Sequence, residues 1–284
     1  MISYAQALLL KSWGLNPDCY MGHSVGEYVA ATLAGVFSLK DALKAVSRRA
    51  SLIQKLPGGA MTAVLLSEED ILPLLGKNTS IGAINTMGLT VVSGPYDEIE
   101  KLESDLSNKR VFNKRVPTSH AFHSAMMDPI LNEMEILFKD IKLNKPNLQI
   151  ISTLTGEELS ESDATSVDYW VKHVRNTVRF SRAVTTSMNI SPTVFVEVGP
   201  GQSLESAVKR HLNEDHDHSV LGTIRPDSIK IDDCEYLINA VGKLWTCGIN
   251  VDKDLYLSGE NPNPVPFPLY NEMQHIQKKS VSFC

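Results

Sequence analysis

Between residues 59 and 117 the apolar pattern switches period repeatedly: strand 61–67, helix 68–76, strand 80–86, strand 90–94, helix 96–107, strand 111–116. That β-α-β-β-α-β order, with Met87-Gly88 as the turn between its middle strands, is the ferredoxin-like motif, and Pro57-Gly58-Gly59 and Pro117 bound it. On either side the pattern differs. A helix over 1–13, a strand over 18–21 and helices from Val25 and over 39–55 precede it. After it come helix 124–138, strand 148–154, helices near 167–173 and 179–188, strand 193–198, helix 203–212, strand 219–224 and helix 234–247. Strands alternating with helices imply a mostly parallel sheet covered on both faces. The expected architecture is therefore α/β: a large discontinuous subdomain over 1–58 and 118–256, a ferredoxin-like subdomain inserted at 59–117, and an extended proline- and asparagine-rich linker over 257–284. There is no internal repeat.

With 284 residues, 43% of them hydrophobic, the chain can fill a sizeable core. No apolar run reaches the roughly 18 residues of a membrane-spanning helix, and MISYAQALLLKSWG lacks the features of a signal peptide, so the cytoplasm is the expected location. Cys19, Cys234, Cys247 and Cys284 lie far apart without CxxC spacing, which fits reduced thiols and no metal site. A net charge of −6 with no clustered basic face argues against nucleic acid as partner. The ligand is expected to be small, or another protein.

An apolar strand runs into Gly22-His23-Ser24-Val25-Gly26, and a helix with Val25, Val29, Leu33 and Val36 at helical spacing follows at once. Gly-x-Ser-x-Gly by itself arises by chance in roughly one chain in ten of this length, given ordinary glycine and serine usage. Its strand-to-helix context is that of a nucleophile elbow, in which flanking glycines permit a strained serine and the next amide, that of Val25, faces a developing oxyanion. The alternative is a tight turn without chemistry. Glu27 lies in the first helical turn, where the helix dipole favours a carboxylate as readily as a direct role would require one.

A serine nucleophile needs a base, and histidine titrates in the useful range. His216 and His218 belong to an acidic loop, His211 to a basic helix end and His275 to the tail, while a helix C-terminus accounts for His173. That leaves Ser119-His120-Ala121-Phe122-His123-Ser124, where the small subdomain's last strand returns to the main layer. His120 and His123 have i, i+3 spacing for a metal, but no third ligand accompanies them. No carboxylate stands out to orient His123, so a backbone carbonyl is the expected partner.

Taken with Leu56-Pro57-Gly58-Gly59-Ala60-Met61, Asp168-Tyr169-Trp170-Val171, Asn176-Thr177-Val178-Arg179-Phe180 and Glu197-Val198-Gly199-Pro200-Gly201, these segments resemble the malonyl-CoA:acyl-carrier-protein transacylases and the acyltransferase domains of modular polyketide synthases, along nearly the whole chain. The resemblance implies an α/β-hydrolase-like large subdomain. It implies that Ser24 takes a malonyl unit from malonyl-CoA as an ester and passes it to the phosphopantetheine thiol of an acyl carrier protein, with His123 as base and no bound cofactor or metal. Arg49 matches the arginine that clamps the free carboxylate, through a planar fork that lysine cannot reproduce. Arg48 beside it points elsewhere and is expected in solvent. Backbone within the segment of Asn176 and Arg179 is expected to orient His123.

His23, Val25, His120 and Phe122 complete the expected substrate site. His120-Ala121-Phe122-His123 matches members that select malonyl over methylmalonyl: Phe122 fills the space of an α-methyl group, a discrimination of about 1–3 kcal/mol. Lys109, Arg110, Lys114 and Arg115 are the candidate basic patch for an acidic carrier protein. The tail Val265-Pro266-Phe267-Pro268-Leu269-Tyr270 is similar to the linker after such domains, which implies a multidomain synthase with a neighbouring ketosynthase. Family members carry, upstream of the elbow, a Gly-Gln-Gly loop that supplies a second oxyanion donor; no such segment stands here. The expectation is a fragment, an incomplete product or one part of a split enzyme, with weak or no transfer on its own, since one such donor contributes about 2.7–4 kcal/mol. The competing readings are a serine hydrolase of related fold and a non-catalytic carrier-protein docking module.

Overall fold

A computed structural model of the chain describes residues 1–212, 218–257 and 280–283. In chain order the elements are α1 (Ile2–Ser12), β1 (Cys19–Met21), α2 (Val25–Leu33), α3 (Leu39–Ile53), β2 (Ala60–Val64), α4 (Glu68–Ile71), β3 (Ser80–Thr86), β4 (Leu89–Gly94), α5 (Tyr96–Asn108), β5 (Asn113–Val116), α6 (Leu131–Lys139), β6 (Gln149–Ile151), α7 (Glu161–Ala164), α8 (Val167–Arg175), α9 (Phe180–Ile190), β7 (Thr193–Glu197), α10 (Ser203–Lys209), β8 (Ser219–Gly222), α11 (Asp233–Thr246), α12 (Lys253–Tyr256) and β9 (Ser280–Phe283). Two compact units result, 20–187 and 1–19 with 188–284, a grouping that differs from the expected boundaries by placing 59–117 with its flanks.

In the unit of 1–19 and 188–284, β7 pairs in parallel with both β8 and β9. The last strand corrects the expectation of a linker reaching to the end of the chain: in Val281-Ser282-Phe283 all three side chains are buried, and the Val281 carbonyl accepts the Asp18 amide at 2.7 Å. The rest of the expected linker, 258–279, lies outside the described residues, as do His216, His275 and the segment 265–270. His218 accepts the Thr193 amide at 3.0 Å instead of lying in open solvent.

In the unit of 20–187, β6 neighbours β1, and the four antiparallel strands run β3-β4-β2-β5, the ferredoxin-like order. Branched residues on one sheet face meet the apolar stripe of α5 in a closed core of Val64, Ile71, Ile81, Val92, Ile99, Leu102 and Leu106. The edge strand β3 is stitched to the chain beyond α8: Ile84 donates to the Val178 carbonyl at 2.8 Å, Val178 donates to Gly82 at 3.0 Å, and the Thr177 hydroxyl donates to Ile81 at 2.7 Å. These bonds explain why 59–117 does not separate as its own compact unit.

Three expected elements are shorter, each for a local reason. The helix over 68–76 ends at Ile71 and tightens into a 3₁₀ turn containing Pro73. The helix over 124–138 starts as a 3₁₀ segment, Ala125–Ile130, around Pro129, which lacks an N–H. The strand over 148–154 stops at Ile151 because Ser152 Oγ accepts the amides of Leu154 and Thr155 at 3.1 and 3.2 Å, bending the chain. Trp170, with no exposure, anchors the helical layer. Its ring centroid lies 4.5 Å from that of Phe37 and 5.6 Å from that of Tyr28, and its Nε1–H donates to Ala164 at 3.0 Å.

Candidate active site

Ser24 sits between β1 and α2 at φ 52°, ψ −118°, a backbone region that side chains rarely occupy and that costs about 1–3 kcal/mol. Of the two flanking glycines, only Gly22 is required sterically. A Cβ there would lie 2.2 Å from the Gly26 carbonyl carbon and 2.3 Å from the Glu27 nitrogen, whereas a Cβ at Gly26 meets nothing within 4 Å. The expectation that both glycines are needed for the bend is thus corrected. The Val25 amide begins α2 without a backbone partner among the described residues, and so is free to donate to a ligand.

Ser24 Oγ lies 2.7 Å from His123 Nε2. His123 is buried, also with positive φ (56°), and its Nδ1 lies 2.9 Å from the Asn176 carbonyl oxygen. A carbonyl only accepts, so Nδ1 carries the proton and Nε2 presents its lone pair to the serine. The bonds from β3 to Thr177 and Val178 hold that carbonyl in place. Burial, then the charge of Arg49, push the His123 imidazole well below its ordinary value, which keeps it neutral and able to take a proton. Of the two residues expected to orient it, only Asn176 does so. The Arg179 carbonyl accepts the Ala183 amide at 3.1 Å, and its side chain pairs with Glu68 at 3.2 Å.

Arg49 falls on the inward stripe of α3 with Ala42, Ala45 and Leu52, and is buried. Its Nη2 donates to Ser24 Oγ at 3.4 Å, its Cζ stands 5.8 Å from the Tyr28 ring centroid, and its buried Nε has no partner among the described residues. An unsatisfied guanidinium nitrogen beside a serine hydroxyl is a place for an anion. Arg48, one position round the helix, pairs with Glu133 on the surface.

A cavity of about 570 Å³ opens over Ser24, between the α3 stripe of Val46, Arg49, Ala50 and Ile53 and the inner face of the antiparallel sheet; His23, Val25, His120 and Phe122 also line it. Every expected substrate-site residue therefore reaches it. His120 turns its Nδ1 to Ser119 Oγ, 2.8 Å away. His23 Nε2 meets Asn85 Oδ1 at 2.9 Å, and burial pushes the His23 imidazole below its ordinary value. Sequence reading did not find Asn85, which stands on a strand 62 residues away. It could have found the wall of α3, since 46, 49, 50 and 53 have one-face helical spacing.

Sequence reading left Glu27 open between a helix-dipole acid and a direct role, and accounted for His173 by a helix C-terminus alone. Both are fully enclosed, with Glu27 Oε2 3.6 Å from His173 Nε2, an environment that a helix dipole alone does not explain. Of the basic patch, Arg115 is taken up in a two-bond pair with Glu103 at 2.8 and 2.6 Å. Cys234 and Cys247 form no disulfide among the described residues, and Cys19 Sγ lies 3.2 Å from Ser282 Oγ. Among the described residues no three His, Cys, Asp or Glu side chains converge as metal ligands would, and no helix is long and apolar enough to cross a membrane.

The family model described as acyl transferase domain matches residues 1–250. A phenolphthiocerol/phthiocerol polyketide synthase component of Mycobacterium tuberculosis is 35% identical over 251 residues, covering 88% of this chain and 17% of that protein. The chain thus spans about a sixth of that relative's length. The acyl transferase domain of SpnD, solved in complex with 2-(pent-4-yn-1-yl)malonyl, superposes with a TM-score of 0.84 at 34% identity, over 87% of this chain and 60% of that one. The malonyl CoA-acyl carrier protein transacylase from Clostridium perfringens superposes with a TM-score of 0.76 at 25% identity, over 87% and 77%. At 35% identity over most of its described length, and with the family model spanning residues 1–250, the chain belongs to the acyl transferase domain family.

Proposed function

We propose that this domain moves a malonyl unit from malonyl-CoA to the phosphopantetheine thiol of an acyl carrier protein through a Ser24 ester, in polyketide or fatty acid biosynthesis. The observation that carries the reading is the 2.7 Å contact of Ser24 Oγ with the unprotonated nitrogen of His123. His123 Nε2 takes the hydroxyl proton as Oγ attacks the thioester carbonyl, and the Val25 amide donates to the oxyanion. The C–S bond breaks, and the departing thiolate takes the proton from His123. In the second half the carrier thiol gives its proton to His123, its sulfur attacks the ester, and Ser24 recovers the proton as it leaves.

Selection follows from the walls of the cavity. Arg49, with an unpartnered Nε beside the nucleophile, receives the free carboxylate of the malonyl group. Phe122 occupies the space an α-methyl substituent needs, while His23, tethered to Asn85, and His120 shape the remaining wall. The ligand named for the SpnD domain, a malonyl group substituted at C2, supports a carboxylated acyl unit, and the transacylase named for C. perfringens supports malonyl itself. The partner is an acyl carrier protein, met within a cytoplasmic multidomain synthase beside a ketosynthase. Incubation with labelled malonyl-CoA followed by peptide mass analysis should place one malonyl group on Ser24, and Ser24→Ala should abolish it. Label surviving in that variant would reject the nucleophile.

A further inference from the structure

The Ser24–His123 dyad has no carboxylate of its own. The Asn176 carbonyl orients the ring, but a neutral dipole does little to balance the charge that forms when His123 takes a proton. An ionised carboxylate nevertheless lies directly beneath. Glu27, one turn into the helix that Ser24 begins, has no exposure and faces only donors: the Thr153 amide at 2.8 Å, the Thr153 hydroxyl at 2.6 Å and the Tyr169 hydroxyl. An acceptor ringed by donors is suited to the anion and not to the acid. Burial opposes its charge, yet facing His173 and these hydroxyls outweighs burial and holds the carboxyl below its usual range.

Between this carboxylate and the dyad stands His173. It is 2% exposed, and among the described residues neither of its ring nitrogens has a partner within hydrogen-bond distance. Its Nε2 is 3.6 Å from Glu27 Oε2, too far to close a hydrogen bond, and its ring centroid is 6.4 Å from that of His123 at 88°. A buried imidazole whose nitrogens close no hydrogen bond costs about 1–3 kcal/mol, and apolar packing alone would have been met better by an aromatic hydrocarbon, so the facing Glu27 is what the ring serves. The groups facing this cluster are Arg49 from α3, His23 and Tyr28 on either side of the elbow, and Tyr169 from α8. Arg49, His173 and His23 all disfavour charge on His123 and the Asn176 carbonyl favours it, while Glu27 is the carboxylate that faces His173 from the other side.

We propose that Glu27, acting across His173, supplies the negative charge that stabilises the imidazolium of His123 during acyl transfer, making the site a serine–histidine pair with its carboxylate at one remove. Glu27 is a positioning residue and touches no reacting atom. The inference rests on the Ser24 acyl-enzyme reading. The test is the pH dependence of single-turnover malonyl transfer to Ser24 in the wild-type protein, Glu27→Gln, Glu27→Asp and Tyr169→Phe.

Removing the charge weakens His123 as a base. Glu27→Gln should lower the plateau rate about tenfold, the equivalent of one pKa unit, and move the acid limb to lower pH with little change in KM. Glu27→Asp, which keeps the charge, should restore the limb. Tyr169→Phe deletes a donor whose dipole offsets part of the carboxylate charge while leaving that charge in place, so it should move the limb to higher pH, and it serves where Glu27→Gln fails to fold. Normal labelling of wild type with the acid limb unmoved in the folded variants would overturn this proposal and leave the acyl-enzyme reading standing. Absence of any label on wild-type Ser24 would overturn both.

Discussion

Arg49→Ala tests the selectivity of the site most directly. A malonyl ester on Ser24 carries a free carboxylate three bonds from Oγ, and the guanidinium stands 3.4 Å from that oxygen with its Nε unpartnered. A fork to one carboxylate makes two charge-assisted hydrogen bonds at about 1.5–3 kcal/mol each. Val25, 48% exposed, marks a cavity mouth through which water can replace part of that. Halving the sum leaves about 1.5–3 kcal/mol, or roughly 10–150-fold in kcat/KM for malonyl-CoA. Acetyl-CoA, without the carboxylate, should label the variant no worse than wild type. Arg49 also helps hold His123 low, so its loss should move the acid limb to higher pH, opposite in sign to Glu27→Gln. Competition between labelled malonyl-CoA and acetyl-CoA, read by peptide mass analysis, measures the ratio. A parallel fall for both donors would refute the clamp and mark Arg49 as structural.

Gly22→Ala forces a Cβ to within 2.2 Å of the Gly26 backbone, so the elbow must open. Urea unfolding should show a loss of at least about 1–3 kcal/mol with labelling abolished, and Gly26→Ala should show far less. Trp170→Ala should cost about 3–5 kcal/mol in the same assay, since the ring has no exposure and packs on Phe37, Tyr28 and Phe138. Phe122→Ser should raise methylmalonyl relative to malonyl labelling by about 1–3 kcal/mol of discrimination, roughly 5- to 150-fold, in a competition assay. His123 and Glu27 are both held below their ordinary values in the folded state, so each contributes stability at neutral pH that is lost on acidification. Unfolding free energy should therefore begin to fall as pH drops below the ordinary imidazole value of 6.5, and His123→Gln should flatten the first part of that fall.

Much of the fold is legible from periodicity, because the inward faces of α3, α5 and the small-sheet strands bury apolar residues at regular spacing. The places where the reading slips are local competitions that periodicity does not register: Pro73, Pro129 and the Ser152 hydroxyl each end an element early. The final strand escapes notice because only three apolar-patterned residues mark it, and pairing with β7 decides its fate.

At the site, local chemistry along the chain already singles out Ser24, His123 and Arg49, since a bend, an imidazole and a guanidinium advertise themselves by residue type and context. Their distances, the choice of the Asn176 carbonyl over that of Arg179, and the Asn85 tether belong to the tertiary structure. So does the burial of Glu27 beside His173. A carboxylate in a first helical turn looks the same on paper whether water or protein surrounds it. Only folding, which brings Thr153 and Tyr169 from more than a hundred residues away, removes the water and sets an ordinary helix-start acid in a buried ring of donors beside His173.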